Sequence, residues 1–134
     1  MTDNQQKQPD ILIVDDVFIN RMLLTDILTS LGCQCTKAHN GEEALSMLRD
    51  RTFDMILMDV EMPVMNGLET TAAIRAMDGE KSQTPIIALT AHNTDEIADE
   101  LTAAGFTDMI SKPFLISKIE KLVIEYCNNN QQSI

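Results

Sequence analysis

The sequence predicts an α/β fold in which a doubly wound, five-stranded parallel sheet is flanked by five helices. Short apolar runs alternate with segments of helical periodicity along the chain, which is typical of strands joined by helical crossovers. No internal repeat interrupts this alternation. The length of 134 residues suits one domain with a sizeable core.

Five apolar segments are predicted to be strands. The runs Ile11–Val14, Met55–Met58 and Ile86–Leu89 are continuously apolar, as expected for strands that are buried on both faces. Cys33–Ala38 alternates and Asp108–Ile110 is short, so both are predicted to lie at the edges of the sheet. With right-handed crossovers, the natural candidate is 2-1-3-4-5, an order already known for doubly wound sheets.

The first and last helices are predicted from apolar residues at helical spacing. Gly32 is expected to end the first helix, because glycine adopts the left-handed conformation that often follows a helix. The stripes comprise Leu23, Leu24, Ile27, Leu28 and Leu31 in the first helix, and Ile116, Ile119, Leu122, Val123 and Tyr126 in the last.

The second and third helices are predicted from the residues at their beginnings. Asn40 stands three residues before Glu43, the spacing of a capping side chain and an acid near the positive end of the helix dipole. The turn at Met65–Gly67 is expected to open a helix that runs to about Met77. A solvated loop over residues 78–82 is predicted to follow.

The fourth helix has the same type of beginning and a thin apolar stripe. Asn93 with Glu96 repeats the capping pattern, and Gly105 ends the helix. Its apolar stripe consists of Ile97, Leu101 and Ala104. A helix with so few apolar residues is expected to be the one held least firmly to the core.

The charge of the chain restricts its partners. It has 21 acidic against 10 basic residues and a net charge of -11, so it would repel a nucleic-acid backbone. Divalent cations and basic protein surfaces are favoured instead. There is no apolar run of about 18 residues and no hydrophobic signal segment at the N-terminus, which predicts a cytoplasmic protein with no membrane association of its own.

The ends of the chain and the cysteines are interpreted as structurally ordinary. Residues 1–9 and 128–134 are polar and are predicted to be disordered tails around a domain at 10–127. Cys33, Cys35 and Cys127 lack the spacing of a metal site and are interpreted as reduced packing residues.

Polar side chains stand at the ends of four predicted strands. Asp15 and Asp16 follow the first, Asp59 ends the third, Thr90 follows the fourth and Lys112 comes after the fifth. The carboxyl ends of parallel strands share one edge, where open α/β sheets bind ligands. Two carboxylates about 4 Å apart repel by roughly 4 kcal/mol at an effective dielectric near 20, so a cation is expected among the acids.

These side chains together suit phosphoryl transfer. Oxygen ligands in an open cleft favour Mg²⁺, with Mn²⁺ as an alternative ion. Lys112 would supply an ammonium group and Thr90 a hydroxyl to a transferred phosphoryl group, and Asp59 would be the nucleophile. Each residue alone also has an ordinary interpretation as a helix cap, a strand end or a solvated charge. Their joint placement at four strand ends favours the site.

Five motifs of the chain occur together. They are ILIVDD at 11–16, NGEEAL at 40–45, MDVEMPVMNG at 58–67, IALTA at 87–91 and SKPF at 111–114. From about Asp10 to Cys127 the sequence thereby resembles the receiver domain of two-component response regulators. The resemblance implies a flavodoxin-like receiver fold. The sequence LTAH at 89–92 looks like that of receivers attached to hybrid sensor kinases.

The resemblance also implies the role of each acid. Asp59 would accept a phosphoryl group from a histidine kinase or a histidine phosphotransfer protein, forming an acyl phosphate. Asp16, Asp59 and the backbone carbonyl of Glu61 would bind Mg²⁺, and Asp15 would act through water. Such a protein is a switch that is phosphorylated and dephosphorylated, so no turnover enzyme is expected.

Other residues take their roles from the same resemblance. Thr90 and Lys112 would hold the phosphoryl oxygens, and a cis peptide bond before Pro113 would aim the lysine into the cleft. Glu61 and His92 would flank the path of the attacking water and set the lifetime of the phosphoryl group.

Output is expected through protein contacts of the face formed by residues 94–127. Many family members carry Tyr or Phe where this chain has Met109, so the usual switch of an aromatic ring is in question. Methionine can repack because its side chain is unbranched and adaptable.

Two other functions are compatible with the sequence. A degenerate receiver would serve only as a binding module. Asp59 and Glu61 also faintly resemble the first motif of haloacid-dehalogenase-type phosphatases. That motif has Asp where this chain has Glu61, and no cap domain is present.

Overall fold

The computed structural model describes residues 8–62, 65–91 and 94–127, apart from the side chains of Thr94 and Glu96. Several predictions therefore lie outside the described residues. They are the C-terminal tail, the first seven residues of the N-terminal tail, the role of His92 and the capping of the fourth helix by Asn93. Gln8 and Pro9 are described, and the Pro9 carbonyl accepts a hydrogen bond from the Gln34 amide at 2.7 Å.

The sheet has five parallel strands in the order β2-β1-β3-β4-β5, which confirms the predicted order. All residues of β3 and β4 are buried, and so are the last four residues of β1, because helices cover both faces of these inner strands. The strands are β1 (Asp10–Val14), β2 (Gln34–Ala38), β3 (Met55–Asp59), β4 (Ile86–Thr90) and β5 (Asp108–Ser111).

Five helices flank the sheet, two on one face and three on the other. On the first face Leu24 of α1 and Ile119 of α5 share a buried cluster with Ile11 and Ile13. On the second, residues of the other three helices pack with Leu12 and Val14. The helices are α1 (Phe18–Ser30), α2 (Gly41–Asp50), α3 (Gly67–Arg75), α4 (Thr94–Ala104) and α5 (Ile116–Cys127). No described helix is long and apolar enough to cross a membrane.

Two residues of the predicted helical stripes do not face the core. Leu23 is 43 % exposed, because the buried positions of α1 are Arg21, Leu24, Ile27 and Leu28, and Leu23 falls one residue outside that spacing. Ile116 is 57 % exposed, since it begins α5 beside the carboxyl edge of the sheet. The buried face of α1 thus includes Arg21, which the predicted stripe omitted, and excludes Leu23.

Two predicted boundaries also differ. Helix α3 ends at Arg75 and not near Met77, and residues 79–83 form a short 3-10 helix within the predicted loop. The C-cap of α3, Ala76, donates its N–H back into the last turn of the helix. The chain then leaves the helix through the exposed residues Asp78 and Gly79.

Asparagine side chains cap two helices. Asn40 accepts a hydrogen bond from the Glu43 amide at 2.9 Å, as the sequence predicted. Asn66 and Glu69 form a reciprocal capping box on α3, with distances of 2.9 and 3.0 Å. The second cap fixes the beginning of α3 immediately after the loop that follows Asp59.

Arg75 connects the end of α3 to three other segments. Its guanidinium donates hydrogen bonds to the carbonyls of Gly105 at 2.8 Å, Ser82 at 2.9 Å and Thr84 at 2.7 Å. It also donates to the Thr107 hydroxyl at 3.1 Å. These contacts hold the C-terminal end of α4 and the beginning of β4 in place. Gly105 has a positive φ of 109°, which suits the turn that ends α4.

The side chains of α5 include one polar link to the sheet. The Tyr126 hydroxyl donates to the Asp108 carboxylate at 2.9 Å and so joins α5 to the beginning of β5. Burial and this hydrogen bond raise the pKa of the phenol above its ordinary value.

The three cysteines are free thiols, as expected of packing residues. Burial raises the pKa of the Cys35 thiol to about 11 and that of the Cys127 thiol to about 12. Thiols with such values are protonated near neutral pH and unreactive.

Candidate functional site

Four neighbouring strands deliver polar side chains to one edge of the sheet. Asp15 follows β1, Asp59 is the last residue of β3, Thr90 is the last residue of β4 and Lys112 follows β5. The strands β1, β3, β4 and β5 are consecutive in the sheet, so their carboxyl ends lie side by side. These residues therefore lie at one edge of the sheet, where the sequence predicted them.

Three carboxylates form a compact cluster at this edge. One oxygen each of Asp15, Asp16 and Asp59 lies within 4.8 Å of the other two. Within the described part of the chain, no other group of three such side chains comes so close. Asp15 is fully buried and Asp59 is 4 % exposed, whereas Asp16 faces solvent. The cluster is thus a cleft with one open side.

Asp15 is held by donors that come from the turn and from the first residues of α1. Its carboxylate accepts hydrogen bonds from the Val17 amide at 2.9 Å and from the Asn20 side chain at 3.3 Å. Its backbone carbonyl accepts a hydrogen bond from Arg21 Nη1 at 2.8 Å. Both carboxylate oxygens of Asp15 are therefore engaged. This suits contact with a cation through water.

The carboxyl group of Asp59 has a raised pKa. Its Oδ1 accepts the Glu61 amide at 3.2 Å and lies 3.7 Å from Lys112 Nζ. Burial, followed by the negative charge of Asp15, raises its pKa to about 6. Lys112 and the Glu61 amide act in the opposite direction and lower it, but they do not outweigh the burial. A divalent cation would relieve the remaining repulsion.

Lys112 reaches the cleft from the turn after β5. Its backbone amide donates to the Thr90 carbonyl at 2.8 Å, which continues the pairing of the two strands. The peptide bond between Lys112 and Pro113 is cis, as the resemblance implied. The Thr90 side chain is 2 % exposed at the adjacent strand end.

Gly67 allows the beginning of α3 to pack directly against the end of β3. A Cβ atom at this position would lie 2.4 Å from the Asp59 carbonyl oxygen and 2.8 Å from the Val60 Cα atom. Both are backbone atoms, which cannot move without shifting the strand end. The sequence marked Gly67 as a turn residue, but it did not reveal this close approach.

The remaining predicted residues lie around the cleft. Glu61 is exposed just after Asp59, and Pro113 is exposed beside Lys112. Met109 is half-buried on β5 opposite Ala88 and packs with the cluster under α2, α3 and α4. Sequence reasoning missed Asn20 and Arg21. Their spacing of five and six residues after Asp15 was the available signal.

An exposed apolar surface borders the acids. It consists of the five α1-side residues Val17, Phe18, Ile19, Met22 and Leu23, with exposures between 43 and 68 %, and is called the α1 patch below. Leu115 and Ile116, just after Lys112, are also more than half exposed. Exposed apolar side chains so concentrated on one helix mark an interaction site.

The donor atoms of the cleft fit a hard divalent cation. Carboxylate oxygens are the ligands that Mg²⁺ and Mn²⁺ prefer, and the open side at Asp16 leaves space for water. Cysteine and histidine, which would favour softer metals, do not belong to the described cluster. The residues present therefore fit magnesium.

Comparison with protein families gives one match over nearly the whole domain. The model of the response regulator receiver domain matches residues 11–124. The chain is 34 % identical over 122 residues to the sensor protein GacS of Pseudomonas syringae pv. syringae, which covers 90 % of this chain and 14 % of that protein. It is 37 % identical over 123 residues to the sensor histidine kinase RcsC of Escherichia coli, covering 92 % and 13 %. The chain thus spans only a small part of the length of these relatives.

Solved structures with the same fold include two that share about a third of the sequence. The chemotaxis protein CheY4 of Vibrio cholerae superposes with a TM-score of 0.83 at 33 % identity, covering 90 % of this chain and 99 % of that one. The receiver domain of the sensor histidine kinase PA1611 from Pseudomonas aeruginosa has a TM-score of 0.82 at 31 % identity, covering 90 % and 98 %. That structure has a magnesium ion coordinated in its active-site cleft.

Proposed function

Because this chain belongs to the response regulator receiver domain family of two-component signalling, we propose that it accepts a phosphoryl group on Asp59 in a magnesium-dependent reaction. It is homologous to the receiver domains of hybrid sensor kinases. The observation that carries the proposal is the setting of Asp59. This buried carboxylate at the end of β3 lies among two further acids and 3.7 Å from the Lys112 ammonium.

The proposed donor is a phosphohistidine of a histidine kinase or of a histidine phosphotransfer protein. A carboxylate oxygen of Asp59 attacks the phosphorus atom, the new P–O bond forms as the P–N bond breaks, and the leaving imidazole takes up a proton. The Lys112 ammonium and the Thr90 hydroxyl donate hydrogen bonds to the phosphoryl oxygens. The result is an aspartyl phosphate on a switch domain, with no turnover of a separate substrate.

The metal ligands proposed for this chain are Asp16, Asp59 and the backbone carbonyl of Glu61, with Asp15 acting through water. A bound Mg²⁺ neutralises charge that develops on the phosphoryl oxygens. Mn²⁺ would occupy the same oxygen ligands. Both oxygens of the Asp15 carboxylate already accept hydrogen bonds, which supports its contact with the ion through water. The magnesium ion in the cleft of the PA1611 receiver domain supports the choice of ion.

The α1 patch is proposed as the surface on which the phosphodonor docks. A protein-bound histidine must approach through the open side of the cleft, and that side is bordered by this patch. Val17 and Phe18 of this patch follow the exposed Asp16 directly in the chain, and the exposed Leu115 and Ile116 come shortly after Lys112. With a net charge of -11, the chain favours a donor whose apolar contact surface carries basic residues at its rim.

Output is proposed to occur through the face formed by residues 94–127. A cleft of about 550 Å³ separates Val60 and Met62, which follow Asp59, from Ile97 and Leu101 of α4. This space gives α4 room to repack when the strand end changes. Downstream contact is with another protein, because an acidic surface disfavours nucleic acid.

Glu61 and His92 are proposed to set the lifetime of the phosphoryl group. Glu61 is exposed two residues after Asp59, at the mouth of the cleft. Its side chain would orient or exclude the water that hydrolyses the acyl phosphate, without contributing to metal binding.

Phosphorylation by a small phosphodonor tests the proposal. Acetyl phosphate with Mg²⁺ should add one phosphoryl group to the wild type and none to Asp59→Asn, as measured by intact mass. Asp50→Asn, which changes an exposed acid of α2, is the matched control and should be labelled like the wild type. An unlabelled wild type would indicate a binding module, and steady hydrolysis of generic phosphate esters would indicate a phosphatase.

A further inference from the structure

We propose that Arg21 is a positioning residue that directs Asp16, the second of the two acids after β1, toward the divalent cation. The inference rests on the magnesium site proposed above and assigns to it a residue outside the ligand set. Arg21 lies on the buried face of α1 and is 8 % exposed. Its Nη1 donates to the Asp15 carbonyl at 2.8 Å.

Core packing alone does not account for an arginine at this position. Leu24, Ile27 and Leu28 continue the same face of α1, so an apolar side chain would complete the stripe. Burying a guanidinium is costly unless its charge and donors are satisfied. At this place it is stabilised by the Asp15 carbonyl and by the Phe18 ring, whose centroid lies 5.7 Å from the guanidinium carbon. The contacts at the acid turn thus offset part of this cost, together with the nearby negative charge of Glu43 on α2.

The hydrogen bond fixes the peptide that joins the two acids. A peptide unit is planar, so holding the Asp15 carbonyl oxygen also sets the direction of the Asp16 amide and of its Cα atom. Asp16 is exposed, and its carboxylate direction therefore depends on the backbone that carries it. The Asp15 carboxylate is held separately by Val17 and Asn20. Arg21 completes this set by orienting Asp16.

A positioning role and a charge effect of Arg21 predict opposite changes in Mg²⁺ affinity when its side chain is removed. A guanidinium near the cluster repels Mg²⁺, so its removal would tighten binding if only its charge mattered. If Arg21 orients Asp16, its removal loosens the ligand and weakens binding. A purely structural role would change the melting temperature and leave the affinity of the folded protein unaltered. The sign of the affinity change therefore separates the three roles.

The test is a calorimetric titration of the full chain with Mg²⁺. Arg21→Met keeps the apolar stem and removes both donor and charge. Its Kd for Mg²⁺ should rise about tenfold, the lower end of effects seen for residues that orient metal ligands. Arg21→Lys should stay within about twofold of the wild type, because the contact to Asp15 uses one nitrogen and lysine keeps one donor. Arg49→Met removes an exposed arginine from α2 and should leave the Kd unchanged.

Each outcome decides the proposal. An unchanged or lower Kd in Arg21→Met overturns it, also when the melting temperature falls. If that variant does not fold, Arg21→Leu, which also removes both donor and charge and continues the apolar face of α1, takes its place, and a Kd at or below that of the wild type again overturns the inference. Absence of Mg²⁺ binding by the wild type would refute the proposed metal site and this inference together, whereas normal wild-type binding with an unaffected Arg21→Met refutes the inference alone.

Discussion

At the scale of the residue, the Asp59 carboxyl group connects stability to pH. Its pKa in the folded chain is about 6, above the value near 3.8 of an unperturbed aspartate. The folded state therefore holds this proton more tightly than the unfolded state does. The resulting stabilisation is fully present below about pH 4 and is lost as the pH rises through 6.

The metal-free wild type should accordingly lose stability between pH 4 and pH 7 relative to Asp59→Asn. A difference of about two pKa units corresponds to roughly 3 kcal/mol in the free energy of unfolding. Urea unfolding in the presence of a chelator measures the difference at each pH. Asp50→Asn is the control and should follow the wild type. Parallel pH curves for wild type and Asp59→Asn would contradict the raised pKa.

The candidate site residues were predicted from their places at strand ends, and residues that do not stand at strand ends were missed. Asp15, Asp59 and Thr90 stand at strand ends, and strand ends in a parallel sheet share an edge. Arg21 belongs to a helix and contacts a backbone carbonyl, so no strand-end pattern could reveal it. The perturbation of the Asp59 carboxyl depends on burial and on charges from other strands, which become known only from the assembled fold.

At the scale of the element, the close contact between α3 and the end of β3 is open to test. Gly67→Ala would place a methyl group 2.4 Å from the Asp59 carbonyl oxygen, so α3 must move away from the strand. We expect a loss of about 2 kcal/mol in unfolding free energy, within the usual range for overpacking. Urea unfolding measures this loss, and Mg²⁺ titration should show weaker binding because the Glu61 carbonyl lies in the displaced loop.

Gly79→Ala is the matched control for this variant. Gly79 has a positive φ of 77° and no atom within 4 Å of its added Cβ, so it is expected to cost backbone strain alone. Its Mg²⁺ affinity should stay that of the wild type. Weakened Mg²⁺ binding in both variants would mean that global stability, and not the contact of α3 with Asp59, controls the metal site.

Helix α4 is the element expected to respond to phosphorylation. Leu101 is its buried anchor, Ile97 and Ala104 are half-buried, and Arg75 holds the carbonyl of Gly105 at its C-terminal end. Movement should therefore occur at the end near Thr90. Hydrogen exchange with and without a phosphoryl mimic should change chiefly within residues 90–114. A change confined to residues 17–31 would place the output surface on α1 instead.

The elements were predictable to different degrees for physical reasons. Inner and edge strands followed from continuous and interrupted apolar runs, because two-faced burial leaves no place for polar residues. Leu23 was assigned wrongly to the apolar stripe because it adjoins Leu24 but lies outside the buried spacing of α1. Ile116 was assigned wrongly because spacing alone does not say where a helix begins relative to the sheet beneath it. The cap of α3 by Asn66 and Glu69 was present as a pattern in the sequence but was not interpreted as one.

At the scale of the whole molecule, the acid cluster is expected to couple folding to metal binding. Three carboxylates within 4.8 Å of one another store repulsion in the metal-free chain, which Mg²⁺ or a neutral substitution relieves. Asp16→Asn should melt at a higher temperature than the wild type without metal and gain less from Mg²⁺. Differential scanning fluorimetry with and without Mg²⁺ checks this. Equal gains in both proteins would show that these acids do not form the site.

The hydrogen bond between Tyr126 and Asp108 makes the chain suitable for optical measurement. The sequence contains one tyrosine and no tryptophan, so the emission of the protein in the near ultraviolet comes from this phenol. An excited phenol is a much stronger acid, and a carboxylate 2.9 Å away can accept its proton and quench the light. If α5 moved away from β5, the protein would brighten. The fluorescence intensity of Tyr126 thus reports whether α5 stays in contact with β5, and no dye has to be attached.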